Sequence, residues 1–380
     1  MAKELKKQTL GYFDIVADVT VDDKCFSLGI AGKNNINWLQ NIFNPKVETK
    51  DGKSMYMRFS SGYDSKKGKT IYAMSKKGTM IEVPFADRMN QNMIDLVDDK
   101  SFIRVGIGKK TEKNEETGKE YKAWEYNKYL DLFDAIAFLN QIMPLASTTK
   151  VRLQGRVRFN EYNNEVTRNY DLQSIYILTN NEDEGKEMPY KLSFTQNVLL
   201  TEGCVDDSKL DSEGLIEVNS KIYCVVSKNK VKSAQILPVK FVMKATDEQK
   251  KATYKRTVDK FLTVKGDTVR RINLDCVFES GYVASNVSEE DLPQEAIELI
   301  EDGLYSKEEV MKMYANKERV DRLVIVRPLI RKINDKPAVD YNDEEYTLDD
   351  LEGNEVEIIE EEQVQSDEEV DDLLDELENL

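Results

Sequence analysis

"KVRLQGRVRFNEYNNEVTRNYDLQSIYIL", Lys150–Leu178, decides the fold class. In its first half Val151, Leu153, Val157 and Phe159 alternate with Arg152, Gln154, Arg156 and Arg158. A period of two marks a strand with one dry and one wet face, because successive Cβ atoms leave a strand on opposite sides. Asn163 and Asn164 then break the pattern, and Asn accepts the backbone of a tight hairpin turn. "VTRNYDLQSIYIL" returns as the partner strand. Gly155 lies inside the first strand, where a missing side chain eases a sharp bend.

A long, strongly curved hairpin of this kind is how a five-stranded OB barrel begins, and "YKLSFTQNVLL", "LIEVNSKIYCVVS" and "QILPVKFVMKA" supply further strands. A basic helix follows in "ATDEQKKATYKRTVDKFLTVKG", with Asp247 as its cap and Gly266 as its end. "TVRRINLDCVFESGYV" reads as a strand, "SEEDLPQEAIELIEDG" as a helix entered at Ser288 and Pro293, and "YSKEEVMKMYANKE" as another helix. "RVDRLVIVRPLIRK" reads as a strand that Pro328 ends.

Upstream, "YFDIVADVTV", "CFSLGIAG", "SMYMRFSSG", "KTIYAMS", "TMIEVPF", "SFIRVGIG" and "KAWEYNKY" are short strands between turn residues. "ADRMNQNMIDLVDD" is predicted as one helix among them. Leu132, Phe133, Ile136, Leu139 and Ile142 have helical spacing before Pro144. The expectation is a mainly β, α+β chain in three parts. Residues 1–145 form a β-rich domain with a closing helix. Residues 146–334 form an OB-like barrel with a basic helix and C-terminal helices, and 335–380 a disordered acidic tail.

Composition narrows the chemistry. The 380 residues include no histidine, which excludes Ser-His-Asp, Cys-His and His-based acid–base catalysis and His-ligated metals. A non-enzymatic protein without cofactor or metal is expected. Cys25, Cys204, Cys224 and Cys276 are widely spaced and match neither a zinc knuckle nor a disulfide framework, so free thiols in a reducing cytoplasm are expected. No run of eighteen apolar residues and no apolar stretch near the start suggests a membrane span or secretory signal. The chain has 71 acidic and 54 basic residues, but 19 of the acids and none of the bases lie in 343–380. Residues 1–342 therefore carry 52 acids against 54 bases, so the body is near neutral and the tail alone is acidic.

Several stretches could meet an anion. "SGYDSKKGKTIYAMS" has one residue too many between Gly62 and Gly68 for a phosphate loop and leads into a strand, so it reads as a hairpin tip projecting Lys66, Lys67 and Lys69. In "YKAWEYNKY" Lys122, Trp124, Tyr126 and Lys128 share a strand face. That composition suits either a platform for stacked bases or a core face with Lys stems over it. In "SMYMRFSSGY" the Met55, Met57 and Phe59 face is core, which turns Tyr56 and Arg58 outward. Arg152, Arg156 and Arg158 form a basic row, joined by Arg168 from the returning strand. An anionic ligand, or carboxylates such as Glu161 and Glu165, would have to face them.

The chain ends "SDEEVDDLLDELENL", with Val370, Leu373, Leu374, Leu377 and Leu380 on one helical face among eight carboxylates. Together with Lys150–Leu178, this ending resembles the architecture of bacterial and bacteriophage single-stranded DNA-binding proteins: OB-type barrels followed by an acidic tail with hydrophobic residues at its end. The resemblance implies a role in replication, recombination or repair, with the tail recruiting other replication proteins. The expected function is sequence-independent binding of single-stranded DNA, with the tail competing for the cationic groove. A virion or assembly protein, and a replication or transcription accessory factor that binds a polymerase through the tail, are the alternatives.

Overall fold

The computed structural model describes residues 5–32, 35–114, 117–178, 188–228, 231–284, 292–302, 306–307, 310, 317–333, 336–352 and 358–359. The tail leucines and Val370, the cap expected at Ser288 and most of the helix expected over 305–318 lie outside them. The start of the expected disordered tail is folded: Lys336–Val339 and Tyr341–Tyr346 are strands, and Tyr346 and Leu351 are buried, because Asp343 and Glu345 meet arginines of the strand Val269–Ala284.

The molecule is built around β1 (Gly11–Thr20), a mostly apolar strand buried on both faces, as a central strand requires. After it come β2 (Phe26–Ala31), β3 (Trp38–Phe43), β4 (Lys46–Glu48), β5 (Ser54–Tyr56) and β6 (Phe59–Asp64). A second hairpin follows, of β7 (Thr70–Met74) and β8 (Met80–Pro84). The expected helix over 86–99 reduces to the single turn α1 (Gln91–Ile94). Asn90 and Asp98 take backbone N–H groups of Asn92 and Lys100 on their side chains, and such local bonds compete with a continuous helix. Then come β9 (Ile103–Lys113), β10 (Glu120–Tyr129) and α2 (Leu132–Ile142), whose first turn Asp131 caps and whose Ile136 and Leu139 are fully buried.

The decisive hairpin is β11 (Thr148–Tyr162) and β12 (Glu165–Leu178), with Asn163 and Asn164 at φ 53° and 63° in its turn. A bulge falls at Gln154/Gly155. A Cβ on Gly155 would stand 1.9 Å from the Asp171 carbonyl oxygen and 2.8 Å from the Phe13 ring, so only glycine fits the bend.

The OB-type barrel begins one element later than expected. It consists of β13 (Lys191–Leu200), β15 (Leu215–Lys228), β16 (Val231–Lys244), β17 (Val269–Ala284) and β18 (Lys317–Pro328), with β14 (Val205–Asp206) and α3 (Leu210–Glu213) between the first two. β13–β15, β15–β16, β17–β18 and β13–β17 are antiparallel, and β16–β18 is parallel. These five pairings close a ring. The basic helix α4 (Glu248–Thr257) joins its third and fourth strands; Asp247 accepts the Lys250 N–H at 2.7 Å. The helix α5 (Gln294–Glu301) lies between β17 and β18, entered at Pro293. The β11/β12 hairpin cannot join the ring because its edges are taken, β11 by β1 and β12 by a parallel pairing with β9. β1 in turn pairs with β13, so one sheet runs without interruption across residues 145/146. One apolar core extends with it, from Phe13, Phe43 and Phe59 to Phe194, Phe241 and Phe278.

Cys25, Cys204 and Cys276 are buried and Cys224 half-buried, all as free thiols. Burial pushes the Cys25 thiol up to about 12 and that of Cys224 to about 11, far from the reactive thiolate range. Among the described residues no helix is long and apolar enough to cross a membrane.

Candidate functional site

The β5–β6 connection positions the first wall of a crevice. Met55, Met57 and Phe59 are buried in the core, and this anchoring turns Tyr56 and Arg58 to the outside. Tyr56 is 70% exposed, a large apolar ring with no burial to explain it. Arg58 is exposed as well and has no charged or hydrogen-bonding partner among the described residues.

The opposite wall comes from β11 and β12. Asn44, Tyr56, Met57, Arg58 and Ser60 face Arg158 and the run Arg168–Asp171 across a cavity of about 480 Å³. Arg158 donates from Nη2 to Asp171 Oδ1 at 2.7 Å, and both side chains are largely solvated. Arg158 Nε also meets Asp171 Oδ2, but both groups remain open to solvent, so an incoming anion can compete for the guanidinium. Arg168 lies on the other face of the hairpin from Arg158, because the register pairs it with Phe159. It reaches the crevice at the rim, is bound to Asp321 of β18, and lies 5.7 Å over the Phe278 ring of β17. Beneath it Tyr170 packs edge-on against Phe13 and Phe278, and burial pushes its hydroxyl up. The crevice thus collects three guanidinium groups against the carboxylates of Asp171 and Asp321, beside an open aromatic ring.

The remaining predicted residues lie elsewhere. Arg152 donates from Nε and Nη2 to the two carboxylate oxygens of Asp14, at 2.8 and 2.9 Å, and Lys191 approaches the same carboxylate. Asp14 comes from β1, not from Glu161 or Glu165 as the hairpin alone suggests. Burial alone would raise the Asp14 carboxyl, but Arg152 and Lys191 outweigh it and hold the group below the ordinary aspartate range. Arg156 is half-buried between the two ends of the row.

Trp124 and Tyr126 on β10 are half-buried, with their ring centres 4.9 and 6.0 Å from that of Tyr176. Gly106 makes the room: a Cβ there would lie 2.8 Å from the Tyr176 ring and 3.1 Å from that of Trp124. Lys109 lies over Trp124, Arg104 lies near Tyr126, and Lys128 pairs with Asp99 at 2.9 Å. Lys122 is exposed at the same face.

At the β6–β7 tip Lys66 and Lys67 project as expected, but Lys69 turns inward, bound to Asp131 and Ser61. The cause is Asp131, a buried carboxylate at the α2 cap that needs a cation. Sequence reading did not single out Trp38. "NWLQNIF" offers a short alternating run, but Gly32 and Gly62, which make room for the Trp38 side chain, come from separate segments.

No protein-family model matches the sequence, and no curated protein matches it. Among solved structures, the wild-type single-stranded DNA binding protein from Thermus aquaticus is similar at 8% identity and a TM-score of 0.28. That match covers 72% of this chain and 87% of the other. A deletion mutant of the same protein matches at 9% identity and the same TM-score, over 71% of this chain and 88% of its own. The likeness is weak and architectural, and a TM-score this low supports no inference about function.

Proposed function

We propose that this protein binds single-stranded DNA without reading its sequence and without catalysis. One observation carries the reading: three separate chain segments bring exposed Tyr56, Arg58 (without a partner among the described residues), and Arg158 and Arg168 to one crevice beside an OB-type barrel. A base stacks on the Tyr56 ring, and the guanidinium groups neutralise the phosphates on either side of it. Phosphate contacts and stacking carry no base code, so sequence tolerance follows from the chemistry. In the same reading the acidic segment 360–380 competes for the crevice as a polyanion, and its leucine stripe recruits a replication or transcription protein.

Titration of labelled oligo-dT at several salt concentrations, with the full chain and with 360–380 removed, tests this. Binding should weaken with salt and tighten on tail removal. Tyr56→Ala should weaken it roughly 5- to 150-fold, the range for one lost base–aromatic stack. Arg58→Ala should reduce the salt slope by about 0.7, one phosphate contact on a single strand. Absence of binding by either form overturns the proposal and favours an assembly role.

A further inference from the structure

The three-stranded sheet β2–β3–β6 lies outside the barrel and carries an aromatic ring that the crevice does not use. Trp38 begins β3 and is 38% exposed. Two glycines make its place. A Cβ on Gly62 of β6 would stand 2.8 Å from the indole Nε1 and 2.9 Å from Cε2, so the ring lies over bare backbone. A Cβ on Gly32 would lie 3.2 Å from Trp38 Cβ and 3.4 Å from Cδ1. Exposed Ile30 stands on the same face, opposite Gln40.

The register ties this ring to the crevice. In the β3–β6 pairing Ser60 is opposite Ile42, Gly62 opposite Gln40, and Asp64 opposite Trp38. Residues 60, 62 and 64 therefore share one face of β6, and Ser60 is itself a wall of the crevice. From Ser60 to Asp64 is roughly 13 Å at about 3.3 Å per residue. Beyond Asp64 the exposed lysines Lys66 and Lys67 turn the chain back. The Asp64 carboxylate lies on the same face; its Oδ1 accepts the backbone N–H of both lysines, at 2.9 Å each, which favours its ionised form, so Lys66 and Lys67 set two positive charges beside its one negative charge.

We propose that β6 is a rail along which the nucleic-acid strand leaves the crevice, with Trp38 as a second stacking ring and Lys66 and Lys67 as the far phosphate contacts. The order along it is cation, ring, cation: Arg58 at the crevice, Trp38 over Gly62, then the two lysines. This rests on nucleic-acid binding in the crevice, and it extends the bound length beyond what the crevice holds.

The chain has only two tryptophans, so Trp124→Phe leaves Trp38 as the sole indole emitter. The experiment titrates this variant with oligo-dT of about 4 and about 16 nucleotides, the ends of the site-size range of an OB fold. A fluorescein label on the oligonucleotide reports binding independently. The rail predicts that the longer oligonucleotide quenches Trp38 emission by at least half at saturation. It also predicts that Trp38→Ala weakens binding of the longer oligonucleotide roughly 5- to 150-fold, while Trp38→Phe restores much of it. Labelled oligonucleotide that binds while Trp38 emission stays unchanged overturns the rail and leaves the crevice standing. No binding by the unaltered chain overturns both. If Trp38→Ala does not fold, the emission of the Trp124→Phe chain decides alone.

Discussion

Two ends of β11 carry the same composition and opposite fates. At one end Arg152 lies beside Tyr176, with Trp124 and Tyr126 near; at the other Arg158 lies beside Tyr56 and Arg58. Near Arg152 the rings pack on one another, and the guanidinium is held by a buried carboxylate of β1. Near Arg158 the ring is bare and one guanidinium is unclaimed. Arginine and an aromatic ring on a strand therefore say little about binding. What decides is whether the acid that meets the arginine is buried, as Asp14 is, or open to solvent, as Asp171 and Asp321 are.

That contrast is open to attack from its stable end first. Asp14→Ala should cost about 3–5 kcal/mol of stability in denaturant unfolding, because it strands the half-buried Arg152. Unchanged stability together with lost DNA binding would transfer Arg152 to the interface and erase the contrast. Gly155→Ala should cost about 1–3 kcal/mol or more, since its Cβ would meet the Asp171 backbone, which cannot swing away as a side chain would. Acid supplies a third test. The folded Asp14 carboxyl sits below the unfolded value of about 3.9, so its stabilisation is present above that pH. It is lost as pH falls through the folded value. Asp14→Asn should flatten unfolding midpoints below about pH 4 relative to the unaltered chain.

At the open end, Arg58→Ala should change stability by less than about 0.5 kcal/mol while weakening oligo-dT binding. A large loss of stability would mean that Arg58 is structural. The smallest effect is expected at the aromatic cluster. Lys122→Ala should leave both stability and affinity within about twofold, and a larger loss of affinity would show a second binding face on β10.

Much of this was legible from residue patterns of short range. The period of two in Val151–Phe159, the Asn163-Asn164 turn, the Asp247 cap and the outward pair Tyr56 and Arg58 depend on neighbours a few positions away. Other features depend on pairing across long stretches. The Asp14–Arg152 bond joins residues 138 apart, and the inward turn of Lys69 awaits an acid 62 positions on. The barrel starts at β13 because β1 and β9 occupy the edges of the hairpin, a competition that no local window contains. Trp38 stayed unremarked for the same reason: the glycine beneath its ring is on another strand.

The position of β1 between β11 and β13 also bears on synthesis. Thr20 and its partner Thr148 are 128 residues apart. At about 5–20 residues per second, β1 waits roughly 6–26 s for β11 and longer for β13, and until then it pairs only with the short β4, at Asp18 and Val19. During that time a largely apolar strand stands with one edge unpaired and the other covered only at Asp18 and Val19, a template for unwanted pairing. The central strand of the finished molecule is thus the most vulnerable segment of the nascent one, and holdase chaperones should bind the chain most strongly before residue 148 emerges.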